Sequence, residues 1–102
     1  LGGVCAMRER ESAIEKKIVQ AVKSRGGICP KWVSPGFDGV PDRMVLLPGG
    51  RMTFVEVKAP GKKARPRQVY VQNLLIRLGF TVFSPVDSIG LVDQIIRQIG
   101  RR

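Results

Sequence analysis

The sequence predicts one α/β domain with the element order α-β-β-β-α-β-α. Three observations lead to this prediction. The chain has 102 residues, which suits a single hydrophobic core. Apolar residues recur at helical spacing in three segments, and short apolar runs bounded by proline and glycine lie between them. The composition, 43% hydrophobic and 25% charged, is typical of a globular protein.

Residues 1–7 are expected to be a lead-in to the domain, either an upstream extension or a remnant of expression. They lack the basic region and the apolar region of a signal peptide. Residues 8–102 are predicted to form the single domain, and its first helix is predicted over residues 8–24. The apolar positions of that helix follow a helical period: Ile14, Ile18, Val19, Ala21 and Val22.

Three strands are predicted in the next part of the chain. Residues 28–34 form a short strand or extended segment, which is irregular or lies at an edge because Pro30 has no backbone N–H. Strands are then predicted over residues 42–47 and 51–58. The turn Pro48-Gly49-Gly50 between them makes them an antiparallel hairpin, and their apolar runs predict burial on both faces.

The last three elements are a helix, a strand and a helix. Pro66 suits the first turn of a helix predicted over residues 66–78. A strand is predicted over residues 80–83, ended by Ser84-Pro85. The last helix, over residues 88–99, is expected to pack its apolar face against the sheet, with a contribution to a dimer contact as the alternative. That face carries Leu91, Val92, Ile95, Ile96 and Ile99.

Charge and missing residue types narrow the possible functions. The formal charge is +10 and the pI is about 10.7, which favours a polyanionic partner. The sequence contains no histidine, which excludes Ser-His-Asp and Cys-His catalysis and histidine-ligated zinc hydrolases. Cys5 and Cys29 are too few for an all-cysteine zinc site, and free thiols in a reducing compartment are expected, with one disulfide as the alternative. No apolar run approaches the roughly 18 residues of a membrane span.

Asp42, Glu56 and Lys58 are predicted to converge at one end of the hairpin. Counting from the turn places Asp42 and Glu56 nearly opposite each other, and Lys58 shares the face of Glu56 because the two are two residues apart. Two converging carboxylates repel unless a cation intervenes, and Mg²⁺ or Mn²⁺ suits these ligands, with the carbonyl of Val57 as another. Such a metal can activate water against a phosphodiester, while Lys58 orients the water or holds the phosphate.

Each candidate residue also has a simpler interpretation. Two acids and a lysine can simply form ion pairs with each other on a solvated sheet edge. The apolar hairpin and the net charge favour a catalytic site instead. Glu11 and Glu15 lie one helical turn apart beside the apolar face of the first helix. They can pair with nearby bases, or one of them can complete the metal site, in which case Glu15 is favoured over Glu11.

A basic loop follows the hairpin and is predicted to hold the phosphate backbone of a nucleic acid. Its cations are Lys62, Lys63, Arg65 and Arg67, and the alternative is a solvated loop that aids solubility. Gln68 lies in the first turn of the next helix, where a phosphate or a metal-bound water is well placed. Trp32 and Phe37 are expected to pack in the core and the loop rather than against bases.

These residues, in this order, resemble the VRR-NUC family of the PD-(D/E)xK nuclease superfamily. The resemblance covers about residues 8–90. It is carried by Glu15, Lys31-Trp32, Ser34-Pro35-Gly36, Gly39-Val40-Pro41-Asp42, the run Phe54-Val55-Glu56-Val57-Lys58-Ala59-Pro60-Gly61-Lys62-Lys63, and Gln68. It implies a restriction-endonuclease-like fold in which helices flank a mixed sheet.

The resemblance also implies Mg²⁺- or Mn²⁺-dependent cleavage of DNA phosphodiesters. By position, Asp42 and Glu56 are the principal metal ligands, Lys58 is the catalytic lysine, Glu15 is the acid on the helix, and Gln68 supports the site. Small stand-alone members look like phage or bacterial proteins and are similar to Holliday-junction resolvases, which act as homodimers on branched DNA. A two-fold dimer is also favoured because resolution of a four-way junction requires two related cuts, and a dimer has two related active sites.

The expected protein is therefore a structure-selective, dimeric endonuclease in the cytoplasm of a bacterial or phage-infected cell. Three alternatives stay open on the sequence. The first is a flap or nicking nuclease without preference for four-way junctions. The second is a DNA-binding accessory protein that does not cleave. The third is a nuclease subunit that needs a helicase or another replication or repair partner.

Overall fold

A three-stranded mixed sheet lies between helices on its two faces. The computed structural model describes the backbone of residues 2–99 and the side chains of residues 11–99. The elements are α1 (Gly2–Ser24), β1 (Arg43–Leu47), β2 (Arg51–Val57), α2 (Pro66–Arg77), β3 (Thr81–Val86) and α3 (Ile89–Ile99). This architecture is α/β and agrees with the expected restriction-endonuclease-like fold.

The central strand of the sheet is β2. It pairs antiparallel with β1 through the hairpin and parallel with β3. The hairpin closes with Leu47 opposite Arg51, and Gly49 and Gly50 in the turn both have positive φ, which glycine adopts without steric cost. The predicted register is confirmed, since Arg43 faces Val55 and the next pair outward is therefore Asp42 and Glu56.

The main core lies between one face of the sheet and the helices α1 and α3. Ile14, Ile18 and Val22 of α1 are fully buried there because they repeat once per turn on one stripe. The apolar face of α3 joins the same cluster through Val92, Ile95 and Ile96, with Leu91 and Ile99 packed at its border. The expectation that this helix packs inward is confirmed.

A smaller core lies on the other face of the sheet, under α2. Phe54, Val71 and Leu75 are buried there, and Trp32 stacks on Phe54 with ring centroids 5.0 Å apart. The expected packing role of Trp32 is confirmed. Because β2 is covered on both faces, its residues from Thr53 to Val57 are all buried, as the apolar run predicted.

The segment predicted as a strand over residues 28–34 differs from the prediction. It runs beside β1 but makes only two isolated bridges, Ile28 to Leu46 and Lys31 to Arg43. Pro30 accepts a hydrogen bond from the N–H of Met44 but has no N–H to return one, so the ladder is interrupted. The observed order among residues 2–99 is therefore α-β-β-α-β-α.

Two element boundaries differ from the prediction by more than one residue. Helix α1 begins at Gly2 rather than at residue 8, and no proline in this stretch stops the helix. Strand β3 continues through Pro85 to Val86 instead of ending at residue 83. The strand can pass this proline because it lies at the edge of the sheet and its register against β2 shifts between Val55 and Val57.

Cys29 is a free, buried thiol, and burial raises its pKa to about 11. The side chain of Cys5, the other cysteine, lies outside the described side chains. No helix in residues 2–99 combines the length and the apolar character needed to cross a membrane.

Candidate active site

Backbone N–H groups hold the carboxylates of Asp42 and Glu56 across the open end of the hairpin. The N–H of Asp42 donates to Oε1 of Glu56 at 3.1 Å, and the N–H of Val57 donates to Oδ2 of Asp42 at 3.0 Å. These two hydrogen bonds across the hairpin place the carboxylate of Asp42, just before β1, beside that of Glu56 on β2. The predicted convergence of these two acids is present in the structure.

Lys58 and Gln68 complete the environment of Glu56. The Lys58 Nζ lies 2.9 Å from Oε2 of Glu56, and the side-chain amide of Gln68 donates to the same oxygen at 2.8 Å. Gln68 is oriented by its other end, since its Oε1 accepts a hydrogen bond from the N–H of Arg65 at the start of α2. Glu56 is thus a buried carboxylate, 1% exposed, that accepts three hydrogen bonds from the protein.

Burial raises the pKa of Asp42 and of Glu56 above their ordinary values. For Asp42 the hydrogen bond from Val57 and the charge of Lys58 oppose this rise, and the charge of Glu15 adds to it. For Glu56 the hydrogen bond from Lys58 opposes the rise, while the charge of Asp42 adds to it. The charge of Glu15 makes ionisation of Asp42 less favourable, and the charge of Asp42 does the same for Glu56, which is the electrostatic situation that a bound cation relieves.

Glu15 lies at the border of the site and is paired with a base. Its Oε1 accepts a hydrogen bond from Nε of Arg43 at 3.0 Å, and Arg43 also donates to the carbonyl of Cys29 at 2.8 Å. Glu11, Glu15 and Asp42 line one cleft of about 240 Å³, so both helix acids face the approach to Asp42. Glu15 is near enough for its charge to act on Asp42, as the pKa of Asp42 shows.

The donor set fits a hard divalent cation. Asp42 and Glu56 supply carboxylate oxygens at one point, and among the described residues Oδ1 of Asp42 accepts no hydrogen bond. In residues 11–99, however, no three acidic or cysteine side chains converge into a metal-holding group. Asp42 and Glu56 therefore form the core of the candidate metal site, and Glu15 is at its border.

The basic loop lies on the chain between β2 and α2 and exposes most of its charge. Lys62, Lys63, Arg65 and Arg67 are all exposed. Arg67 differs from the others because it has partners within the protein. Its Nε donates to the carbonyl of Asp38, and its guanidinium lies 5.3 Å from the ring centroid of Phe37 and 5.1 Å from that of Tyr70.

Sequence reasoning missed two residues beside the site. Arg43 directly follows Asp42, and alternation along the strand turns it to the opposite face, where it meets Glu15. This alternation was the available signal for Arg43. Tyr70 stands one turn after Arg67 on α2, and the i, i+3 spacing was its signal.

Comparison with known proteins agrees with this fold. No family model matches the chain. The chain is 52% identical over 73 residues to "Putative nuclease p44" of Acyrthosiphon pisum secondary endosymbiont phage 1, an alignment that covers 72% of this chain and 78% of that protein. A solved structure described as a "VRR_NUC domain" superposes with a TM-score of 0.80 at 32% identity, covering 86% of this chain and 95% of the other. The chain therefore belongs to the VRR-NUC family.

Proposed function

We propose that this protein is a metal-dependent endonuclease that hydrolyses phosphodiester bonds in DNA. The observation that carries the proposal is the network of Asp42, Glu56, Lys58 and Gln68 at the end of the hairpin. The buried Glu56, with the half-buried Asp42 beside it and an ammonium 2.9 Å away, is costly to maintain. Such a cluster serves chemistry on a charged substrate better than it serves folding.

In this proposal each residue of the network has a distinct role. Asp42, Glu56 and the carbonyl of Val57 hold Mg²⁺ or Mn²⁺, with Glu15 as a further ligand or a holder of water. The ion, when bound, supplies a Lewis acid for the phosphate and lowers the pKa of a water molecule. Lys58 orients the attacking water or the phosphate, and Gln68 fixes the orientation of Glu56.

The charge of the molecule supports DNA as the substrate. The net charge is +10, and the exposed cations Lys62, Lys63 and Arg65 stand in the loop that follows Lys58. Such a surface binds the phosphate backbone without reading its sequence. We propose branched DNA as the preferred form, cut by a two-fold homodimer whose two sites make paired incisions, in the cytoplasm of a bacterial or phage-infected cell. A helicase or another replication or repair protein is a further partner in this proposal.

A cleavage assay tests this function. End-labelled four-way junction, flap, duplex and single-stranded DNA are incubated with the protein in Mg²⁺, in Mn²⁺ and in EDTA. We expect metal-dependent cleavage of the junction at symmetric positions. We expect Asp42→Asn, Glu56→Gln and Lys58→Ala each to lower the cleavage rate by at least about a hundredfold, with DNA binding in EDTA largely unchanged.

The control variant is Asp93→Asn, which removes an exposed acid whose ion-pair partner among the described side chains is Lys17, at 3.7 Å. It should cleave like the wild type. If flaps are cut as fast as junctions, the preference for four-way junctions is contradicted and the protein is a flap or nicking nuclease. Tight binding without cleavage in either metal would contradict the proposal and favour the accessory or partner-dependent alternative.

A further inference from the structure

Three side chains beside the active site form an exposed stack that the proposed catalysis does not use. The guanidinium of Arg67 lies over the ring of Phe37 and over the ring of Tyr70, at 5.3 and 5.1 Å from the centroids. Phe37 comes from the loop of residues 34–41, while Arg67 and Tyr70 come from the first turns of α2. We call this group the aromatic stack.

The aromatic stack is held in a fixed position relative to the site. Nε of Arg67 donates to the carbonyl of Asp38, which binds the loop to the helix. Gly39 packs so closely that a Cβ there would lie 2.7 Å from Cγ of Arg67. The next residue after Arg67 is Gln68, which donates to Glu56, and the loop leads directly into Asp42. The stack therefore borders the catalytic network through both of its segments.

The rings of the stack are not buried by the fold. Tyr70 is 52% exposed and Phe37 is 38% exposed, and neither belongs to either hydrophobic core. Trp32 and Phe54, by contrast, stack on each other inside the smaller core. A pair of exposed rings around a cation, next to a basic loop, is an unusual use of aromatic surface unless something stacks on it.

We propose that the aromatic stack is a platform for an unpaired base of the DNA substrate. This inference rests on the proposed function and adds the feature of DNA that the site recognises. Base stacking on aromatic rings tolerates any sequence because every base has a π-face. Arg67 adds a positive charge to the platform, and Lys62, Lys63 and Arg65 bind the adjacent backbone. A fully paired duplex offers no free base face, so the platform favours DNA with unpaired bases at a branch or a bulge.

Binding measured in EDTA separates this recognition from cleavage. The probes are a duplex with one unpaired 2-aminopurine, whose fluorescence falls on stacking, and the fully paired duplex of the same sequence. We expect the wild type to bind the first probe more tightly and to quench its fluorescence. In the double variant Phe37→Leu/Tyr70→Leu, the Kd for that probe should rise about tenfold or more, with quenching lost. The Kd for the paired duplex should change less than about twofold.

Conservative variants separate stacking from loop structure. Tyr70→Phe and Phe37→Tyr keep the rings and should keep both affinity and quenching, whereas each single leucine variant should lose part of both. The matched control is Phe80→Leu, since Phe80 is 39% exposed but lies beyond the other end of α2 and contacts Phe54. It should bind both probes like the wild type. Fluorescence of Trp32, the only tryptophan, reports that each variant is folded.

The outcomes distinguish this inference from the proposed function. Equal loss of affinity for both probes, or unchanged affinity and quenching in the leucine double variant, would overturn the platform. Either result, together with metal-dependent cleavage by the wild type, would leave the endonuclease proposal standing. Ring-dependent binding by a protein that cleaves no DNA would support the platform and overturn the endonuclease.

Discussion

Glu56 shows how much of this molecule is arranged around one carboxylate. It lies on the central strand, is 1% exposed, and receives hydrogen bonds from the backbone of Asp42 and from the side chains of Lys58 and Gln68. A buried carboxylate without such partners would cost several kcal/mol. Even with them, burial raises the pKa of Glu56. The site therefore keeps charge in a place where the fold alone would favour an apolar residue.

The same conflict predicts that Asp42, an acid of the proposed catalytic network, lowers the stability of the folded protein. Burial raises the pKa of Asp42 above its ordinary value. Between the ordinary and the raised pKa, the folded state binds more protons than the unfolded state, so stability falls as pH rises through that window. Asparagine carries no charge and can still accept the hydrogen bond from Val57. We therefore expect Asp42→Asn to be more stable than the wild type at pH 7 and inactive.

Thermal melts in EDTA from pH 3.5 to pH 8 measure this effect. The Tm difference between Asp42→Asn and the wild type should be smallest at the acid end and grow until Asp42 is fully ionised. The control is Asp93→Asn, whose acid is exposed and pairs with Lys17. A lower Tm for Asp42→Asn throughout this pH range would contradict the argument.

At the scale of elements, the loop of residues 34–41 and the N-terminus of α2 behave as one unit. Gly39 has φ +88°, a conformation that residues with a Cβ rarely adopt. A Cβ at this position would also meet Cγ and the carbonyl oxygen of Arg67, at 2.7 and 3.0 Å. We expect Gly39→Ala to lower the free energy of unfolding by about 1–3 kcal/mol. Urea denaturation measures this change.

Gly36 in the same loop is the matched control for Gly39. A Cβ at Gly36 would meet nothing within 4 Å, and its φ is not positive. Gly36→Ala should therefore leave stability within about 0.5 kcal/mol of the wild type. If both alanine variants have the same urea midpoint, the loop is not held against α2 in the way the contacts indicate. The displaced loop in Gly39→Ala should also weaken cleavage, because the loop leads into Asp42.

The elements also show which local patterns were sufficient for prediction. The hairpin was predictable because the Pro48-Gly49-Gly50 turn fixes its register, and the register in turn places Asp42 beside Glu56. Helix α2 was predictable from Pro66 at its start and its apolar stripe. For residues 28–34 the irregular extended segment, rather than a regular strand, is observed, because Pro30 interrupts the pairing with β1. The predicted end of β3 at residue 83 was wrong because Pro85 lies in an edge strand, where its missing N–H is tolerated.

Contacts between distant segments limited prediction of the site. Asp42, Glu56 and Lys58 lie within one hairpin, so counting residues brought them together. Glu15 and Arg43 are 28 positions apart, and their ion pair depends on how α1 packs across the sheet. The partners of Arg67 similarly depend on a loop from the other half of the chain. Sequence reasoning favoured Glu15 over Glu11 as a further metal ligand, and in the structure Glu15 pairs with Arg43 at the border of the site.

For the whole molecule, exposed cations lie near both ends of the hairpin. One end carries the proposed catalytic network and the basic loop. The other carries the turn at Pro48 and the end of α1, since a Cβ at Gly26 would lie 3.4 Å from Cγ of Pro48. If DNA crosses the catalytic end, cations there should release counterions on binding, and cations at the turn end should not.

The salt dependence of DNA binding tests which end of the hairpin contacts the DNA. For Lys62→Ala/Lys63→Ala, the slope of log K against log salt concentration, measured by fluorescence anisotropy in EDTA, should become shallower by about 2, one unit for each lost phosphate contact. The matched control is Lys23→Ala/Arg25→Ala, which removes two exposed cations at the turn end. Its slope should stay close to that of the wild type, because those cations lie away from the DNA. Equal changes in the two double variants would mean that net charge alone attracts DNA, and that the basic loop does not direct the backbone past Asp42 and Glu56.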